Sequence, residues 1–343
     1  MTTTEALTVT ADDGTTLLAP CMSCTLYFDH ADPALLRDMA DQAMAALDGQ
    51  LTHFVTGTMR GFAKRGAKSD AAFAALFERP RVGARQWLEM RGTGDGVSAA
   101  ELFVHYKPLP PLPTTEAGIA EAVEANYKKY EVQNAIFMPM VSSISVSFPL
   151  DHPLAAPEAL LAWVQGLACV QQSAFVSGHA GYGIKAHTEV SSRPLRQTMD
   201  SGLAAMLARH PGLDYEVFGS VATQLLKYWP DHPWFLPRFK RAQWLTLVRN
   251  QMLEELCGGQ ESVQAALSGA DGVIGHDLSD GMILQAGAAP QIGDVTTGDY
   301  IAPYRAVAAA LAPARLPKFK SNNRYFNQDV ADAWLAAFET DYD

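Results

Sequence analysis

The sequence predicts an α+β fold in two lobes, built by internal duplication of a strand-helix-strand unit, with largely antiparallel sheets packed against helices. Three observations carry this reading. Two segments about 120 residues apart, "CTLYFDHADPALLRDMADQAMAAL" (24–47) and "ISVSFPLDHPLAAPEALLAWVQGL" (144–167), each run as a short strand, an Asp/His/Pro turn and a helical pattern. The parallel continues, because Phe54-Val55-x-Gly57 answers Phe175-Val176-x-Gly178. Finally, apolar stripes at helical spacing alternate with short apolar runs closed by Gly or Pro.

Taken in order, the first element is the run Thr25-Leu-Tyr-Phe28, preceded by Cys21-Met-Ser-Cys24. That pair imitates a redox or zinc motif, but a thioredoxin-like pair follows a strand at a helix N-terminus, and here it leads into one. A zinc site needs two further ligands at matching spacing, and Cys169 and Cys257 are isolated. The pair reads as two small half-buried residues entering a strand. Leu36, Met39, Ala40, Ala43, Met44 and Leu47 then form one apolar helical stripe. "QWLEM" (86–90) and "AELFVHY" (100–106) read as strands. "KPLPPLPTT" (107–115) is closed to helix and central strand by its prolines, so it divides an N-terminal lobe, 1–113, from a C-terminal lobe, 114–343, with one continuous domain the alternative that the length allows.

Beyond it, Ile119, Val123, Tyr127 and Tyr130 form a second stripe, with Glu121, Glu124, Lys128 and Lys129 facing out. "NAIFMPM" (134–140) is another apolar run. Leu195, Met199, Leu203, Met206 and Leu207 form a third stripe, stopped by His210-Pro211-Gly212. "GMILQAG" (281–287) reads as a strand, and Val330, Trp334, Leu335 and Phe338 mark a terminal helix capped by Asn327.

The 343 residues carry 26 Lys plus Arg against 37 Asp plus Glu, so the formal charge is 26 − 37 = −11. Such a field repels nucleic acid and anionic lipid and steers basic partners inward. The N-terminus has neither a basic nor an apolar leader pattern and no window approaches eighteen apolar residues, which predicts a cytoplasmic protein with no membrane partner. Four cysteines in a chain this long are no disulfide framework.

Catalytic motifs are weak. Gly181-Tyr-Gly183-Ile-Lys-Ala186 matches a dinucleotide fingerprint, yet no helix opens at the glycines and Asp200 falls inside a helical pattern instead of ending a strand. The stretch reads as a glycine-rich turn between strands. His276-Asp277 with Asp280 and Asp294 fits no metal-binding spacing. Neither a nucleophile elbow nor a phosphate loop occurs, so no enzyme, cofactor or metal is expected.

The C-terminal third carries a family likeness. Trp244-Leu-Thr246 leads into an amphipathic helix ending at Gly258-Gly259. Gln285-Ala-Gly287-x-x-Pro290-x-x-Gly293-Asp294 follows, then Pro303-Tyr304-Arg305 opening an Ala-rich helix, and a closing Trp334-Leu335. With "GHAGYG" and "RHPGLDY" (209–215), these motifs resemble the type VI secretion system immunity protein family, formerly a family of unknown function, over roughly 140–340. The resemblance implies a non-enzymatic protein that binds and neutralises a cognate effector toxin. It is similar to members found beside restriction-endonuclease-like toxins, which implies a nuclease and, with the charge of −11, a basic one occluded at its active site. Trp244, Leu245 and Trp334 read as core anchors.

Candidate partner-binding residues are the acids of Gly-rich loops, Asp271, Asp277, Asp280, Asp294 and Asp299, because loops carry such contacts. Trp229 and Trp234, in the proline-crowded "KYWPDHPWFLPRF" (227–239), are rivals, because interfaces draw most of their energy from a few aromatic anchors. Two other classes of function stay open: an enzyme using the Gly181 turn for a nucleotide, and an adaptor of the secretion machine.

Overall fold

The computed structural model describes residues 7–29, 32–79, 86–107, 115, 117–118, 121, 141–187, 192–216, 225, 238–316 and 327–339. Its strands are β1 (Val9–Thr10), β2 (Thr16–Phe28), β3 (His53–Thr56), β4 (Ala63–Lys64), β5 (Gln86–Arg91), β6 (Glu101–Tyr106), β7 (Ser142–Phe148), β8 (Ser177–Ala186), β9 (Leu245–Arg249), β10 (Val273–Leu278) and β11 (Gly281–Ala286). They join in one sheet of order β10-β11-β9-β8-β2-β7-β6-β5-β3-β4, with β1 added to the start of β2. Every ladder between these strands is antiparallel. The helices among the described residues are α1 (Pro33–Ala46), α2 (Ala67–Glu78), α3 (Pro157–Gly166), α4 (Ala168–Gln171), α5 (Arg193–Arg209), α6 (Asn250–Cys257), α7 (Gln260–Leu267), α8 (Ala302–Ala310) and α9 (Gln328–Leu335). The α+β class and its antiparallel sheet are as the sequence predicts.

Strand periodicity explains how the sheet buries two cores. Met22, Cys24 and Leu26 face Phe148, Val146 and Ile144 across the β2–β7 ladder, and Val146 and Ile144 in turn face Leu102 and Val104 of β6. These side chains join Leu36, Met39, Ala40 and Ala43 of α1 in one apolar cluster. Burying each of the Leu, Ile, Val, Phe and Met side chains among them is worth about 1.5–3 kcal/mol before entropy is counted. A second cluster gathers Leu17, Leu18 and Tyr27 of β2 with Met199, Leu203 and Leu207 of α5 and Trp334 and Leu335 of α9. The intervening positions of β7 are serines, and Thr25 Oγ1 of β2 donates to Ser145 Oγ at 2.9 Å.

The helices start where local chemistry allows. Asp32, Ser192 and Asn327 each accept a hydrogen bond from a first-turn backbone N–H at α1, α5 and α9, satisfying donors that a helix leaves open. Asn327 is thus the cap the sequence predicts. The stripe at 119–130 and the run at 134–140 lie outside the described residues.

Three readings change. The Cys pair lies inside the 13-residue β2, not ahead of a strand. Both thiols are fully buried and free; burial pushes Cys21 up to about 12 and Cys24 further, so neither is a ready nucleophile or ligand. The Gly181–Gly183 stretch is no turn: it runs extended within β8. Close approach accounts for its glycines, since a Cβ on Gly183 would stand 2.8 Å from Ser23 Oγ of β2 and one on Gly181 3.1 Å from Gln243 Oε1. Its N–H groups therefore belong to the sheet and form no phosphate cradle. The duplication is not confirmed, because β8 pairs directly with β2 while β3 sits near the far edge between β5 and β4. The sheet itself runs across the 113/114 boundary, with β2 held between β7 and β8.

Candidate functional site

One group of ionisable residues is gathered at the heart of the molecule. His179 projects from β8, Asp214 and Glu216 from the segment after α5, and Lys240 from the approach to β9. Lys240 Nζ stands 2.9 Å from Asp214 and 2.7 Å from Glu216, while His179 Nε2 stands 3.0 Å from Asp214 and 3.6 Å from Glu216. Tyr27 completes the group by donating its hydroxyl to Glu216 at 2.9 Å. Burial alone would push both carboxyls up; Lys240 and His179 reverse this and hold them below the ordinary range. Burial and Lys240 work against charge on His179, yet the two carboxylates prevail and raise it.

This constellation has the composition of a cation site, since ligand atoms of His179, Asp214 and Glu216 lie within 4.8 Å of one another. The lysine ammonium already lies between the two carboxylates and supplies the positive charge a metal would bring. Side-chain exposures of 0–7% also close the cluster to a substrate. It is an internal charge lock. Around it, Arg241 donates to the carbonyls of Pro211 and Leu213 and lies over Trp334, whose Nε1 donates to Leu213 O at 3.0 Å.

The motifs that carry the family likeness converge on the same region as scaffold. Trp244 Nε1 donates to Gly287 O at 3.0 Å, and His210 Nδ1 lies 2.6 Å from Gly293 O. Gly212 is fixed by contact: its N–H donates to Ile292 O, and a Cβ there would stand 2.0 Å from Gln291 O. Trp244 and Trp334 are almost wholly buried, as core anchors should be.

The five acids singled out in the sequence fall into two groups. Asp294 and Asp299 close one turn by exchanging backbone hydrogen bonds. Hydrogen bonds from Arg209 and Thr296 hold the Asp294 carboxyl far below the usual range. Asp299 Oδ1 accepts from Ile301 N–H. These two charges are engaged within the chain.

Asp271, Asp277 and Asp280 instead line the hairpin of β10 and β11, and all three are exposed. Asp277 accepts from Gln260 and Gln264 of α7, and Asp280 lies 4.0 Å from Arg249. His276 and Asp277, adjacent on one strand, project to opposite faces and do not converge on one ion. Trp229 and Trp234 lie outside the described residues.

Elsewhere, a groove of about 660 Å³ between β3, β4 and α2 is lined by Phe54, Met59, Ala63, Lys64, Lys68 and Ala72. No described helix is long and apolar enough to cross a membrane.

Comparison with known proteins agrees with this anatomy. Residues 116–338 match the protein family described as type VI immunity for VRR-NUC. Among solved structures, a T6SS protein of Pseudomonas aeruginosa superposes with a TM-score of 0.66 at 21% identity, covering 97% of this chain and 87% of its own. That likeness is one of fold. No curated protein matches the chain.

Proposed function

Because the chain belongs to the family of type VI immunity proteins for VRR-NUC, we propose that it binds its cognate nuclease effector in the cytosol and neutralises it by covering the active site. The family match over 116–338 carries the reading. The distribution of charge supports the mode of inhibition. Residues 250–304 contain eight acids, Glu254, Glu255, Glu261, Asp271, Asp277, Asp280, Asp294 and Asp299, and no Lys or Arg, so 0 − 8 = −8 of the total −11 resides there. A nuclease holds phosphates with cationic groups, and an acidic inhibitor competes for the same groups and gains association rate from the field.

Within that segment the exposed Asp271, Asp277 and Asp280 are the proposed contacts, whereas Asp294 and Asp299 are engaged in their own turn and with Arg209. The chain acts by binding and uses no metal or cofactor of its own.

The test is protection. The nuclease domain of the cognate effector is induced in a heterologous host with and without this chain, and the purified pair is assayed for complex formation and DNA cleavage. Restored growth, a stable complex and loss of cleavage are expected. An active nuclease that kills equally in the presence of soluble chain, with no complex, refutes the proposal. A complex that forms while cleavage continues would point to an adaptor.

A further inference from the structure

β10 is the outer edge of the sheet among the described residues, and its backbone register shows which groups face outward. Ala286 N–H bonds to Trp244 O on the β9 side, whereas Gly287 N–H bonds to Gly272 O on the β10 side. Hydrogen bonding alternates along an antiparallel ladder, so Ile274, His276 and Leu278 bond to β11 while Gly275 and Asp277 turn N–H and C=O away from it. Val273 N–H is taken up by Ala270 O, which leaves its carbonyl outward. Gly275 and Asp277 are exposed, as is Ile274 at 51%, the one large apolar side chain so exposed among the described residues. A solvent-facing strand with unused backbone groups is a template for another strand.

Charge decides which strand. Asp277 lies on the edge, Asp271 and Asp280 flank it, and Glu261 stands on α7 next to Gln260, which holds Asp277. A second copy of this chain would bring the same acids edge to edge and be repelled, whereas a cationic strand would gain on pairing. The opposite edge, β4, is two residues long and carries Lys64, so it offers neither the length nor the sign.

We infer that β10 is the docking strand for the effector, extending the sheet by one basic strand of the nuclease that pairs with Gly275 and Asp277. This rests on the immunity reading and adds the place and mode of contact.

The experiment measures affinity for the purified VRR-NUC domain of the cognate effector, together with hydrogen exchange of residues 273–278 in the free chain and the complex. Three variants are compared. Gly275→Pro removes an outward N–H without touching the β11 ladder, and the Cβ position it fills meets only the flexible end of Met282. Asp277→Lys reverses the edge charge, and Asp12→Lys makes the same charge change at an exposed acid of the β1–β2 turn. Gly275→Pro and Asp277→Lys should each weaken binding about tenfold or more, the scale of a lost hydrogen bond to a charged or buried partner, while Asp12→Lys binds as the parent. Exchange at 275 and 277 should slow in the complex.

Wild-type affinity in folded Gly275→Pro and Asp277→Lys, or unchanged exchange at 273–278 in a complex that does form, would overturn the docking strand and leave immunity intact. Absence of any complex with the parent chain would overturn the immunity reading and this inference with it. Should Gly275→Pro fail to fold, Asp277→Lys and the exchange data decide.

Discussion

Replacing Lys240 by Met tests whether the buried cluster is a charge lock. The methionine fills similar volume but removes the ammonium that lies 2.9 Å from Asp214 and 2.7 Å from Glu216, at a site where the lysine side chain is 0% exposed. Two buried carboxylates then share one imidazole, and the cluster carries an uncompensated negative charge. Removing one partner of a buried pair costs about 3–5 kcal/mol. With an unfolding entropy of about 2.1 cal/mol/K per residue over 343 residues, about 0.7 kcal/mol/K in all, that loss lowers Tm by roughly 4–7 °C.

The pH dependence is the sharper signature. The folded pKa values of Asp214 and Glu216 are depressed, so they stabilise the parent above their unfolded values of 3.8 and 4.5, and this stability is lost as pH falls through the folded ones. His179 is raised, so its contribution is complete below its unfolded 6.5 and fades as pH rises through the folded value. In the methionine variant a carboxylate can relieve the imbalance by taking up a proton. The deficit should therefore be larger at pH 8 than at pH 5, as thermal unfolding across that range would record. A variant as stable as the parent, or a deficit independent of pH, would refute the charge-lock argument.

Other consequences follow from single sites. Burial first, then Glu101, pushes the Glu89 carboxyl up to about 8, so its folded form favours the proton and its ionisation destabilises the fold as pH rises from 4.5 through 8. Glu89→Gln should raise Tm at pH 8.5 and change it little at pH 5; equal shifts at both pH values would count against this. Gly212→Ala drives a methyl toward Gln291 O, and a stability loss in the range of overpacking, about 1–3 kcal/mol, is expected as a lowered Tm; an unchanged Tm would show that the 291–293 turn yields freely. Of the four free cysteines only Cys257 is partly exposed, so a thiol reagent should label it in the native chain and reach Cys21, Cys24 and Cys169 only on unfolding. Rapid native labelling of Cys21 or Cys24 would contradict the burial of β2.

What the sequence by itself determined lies within a few residues along the chain. The stripes of α1, α5 and α9, and the caps that start them, depend on spacing of three and four and on side chains bonding backbone next to them. The family likeness was legible for a related reason. Its residues, among them Trp244, Gly287 and Trp334, keep order and spacing because they hold the scaffold, so they named the class of function without naming a contact. Tertiary structure decided the rest. Gly181 and Gly183 looked like a turn, and only the approach of Gln243 to the first and of Ser23 from β2 to the second explains why a strand lacks side chains there.

His179, Asp214, Glu216 and Lys240 stand 35, 2 and 24 residues apart along the chain, spacings that signal nothing until the sheet brings them together. The acids make the same point: five aspartates in similar Gly-rich loops were alike in sequence. Folding ties Asp294 to Arg209, yet places Asp277 in the edge strand β10 and leaves it exposed. A carboxylate's role depends on the cation or solvent that faces it, and chain spacing does not encode that across long loops.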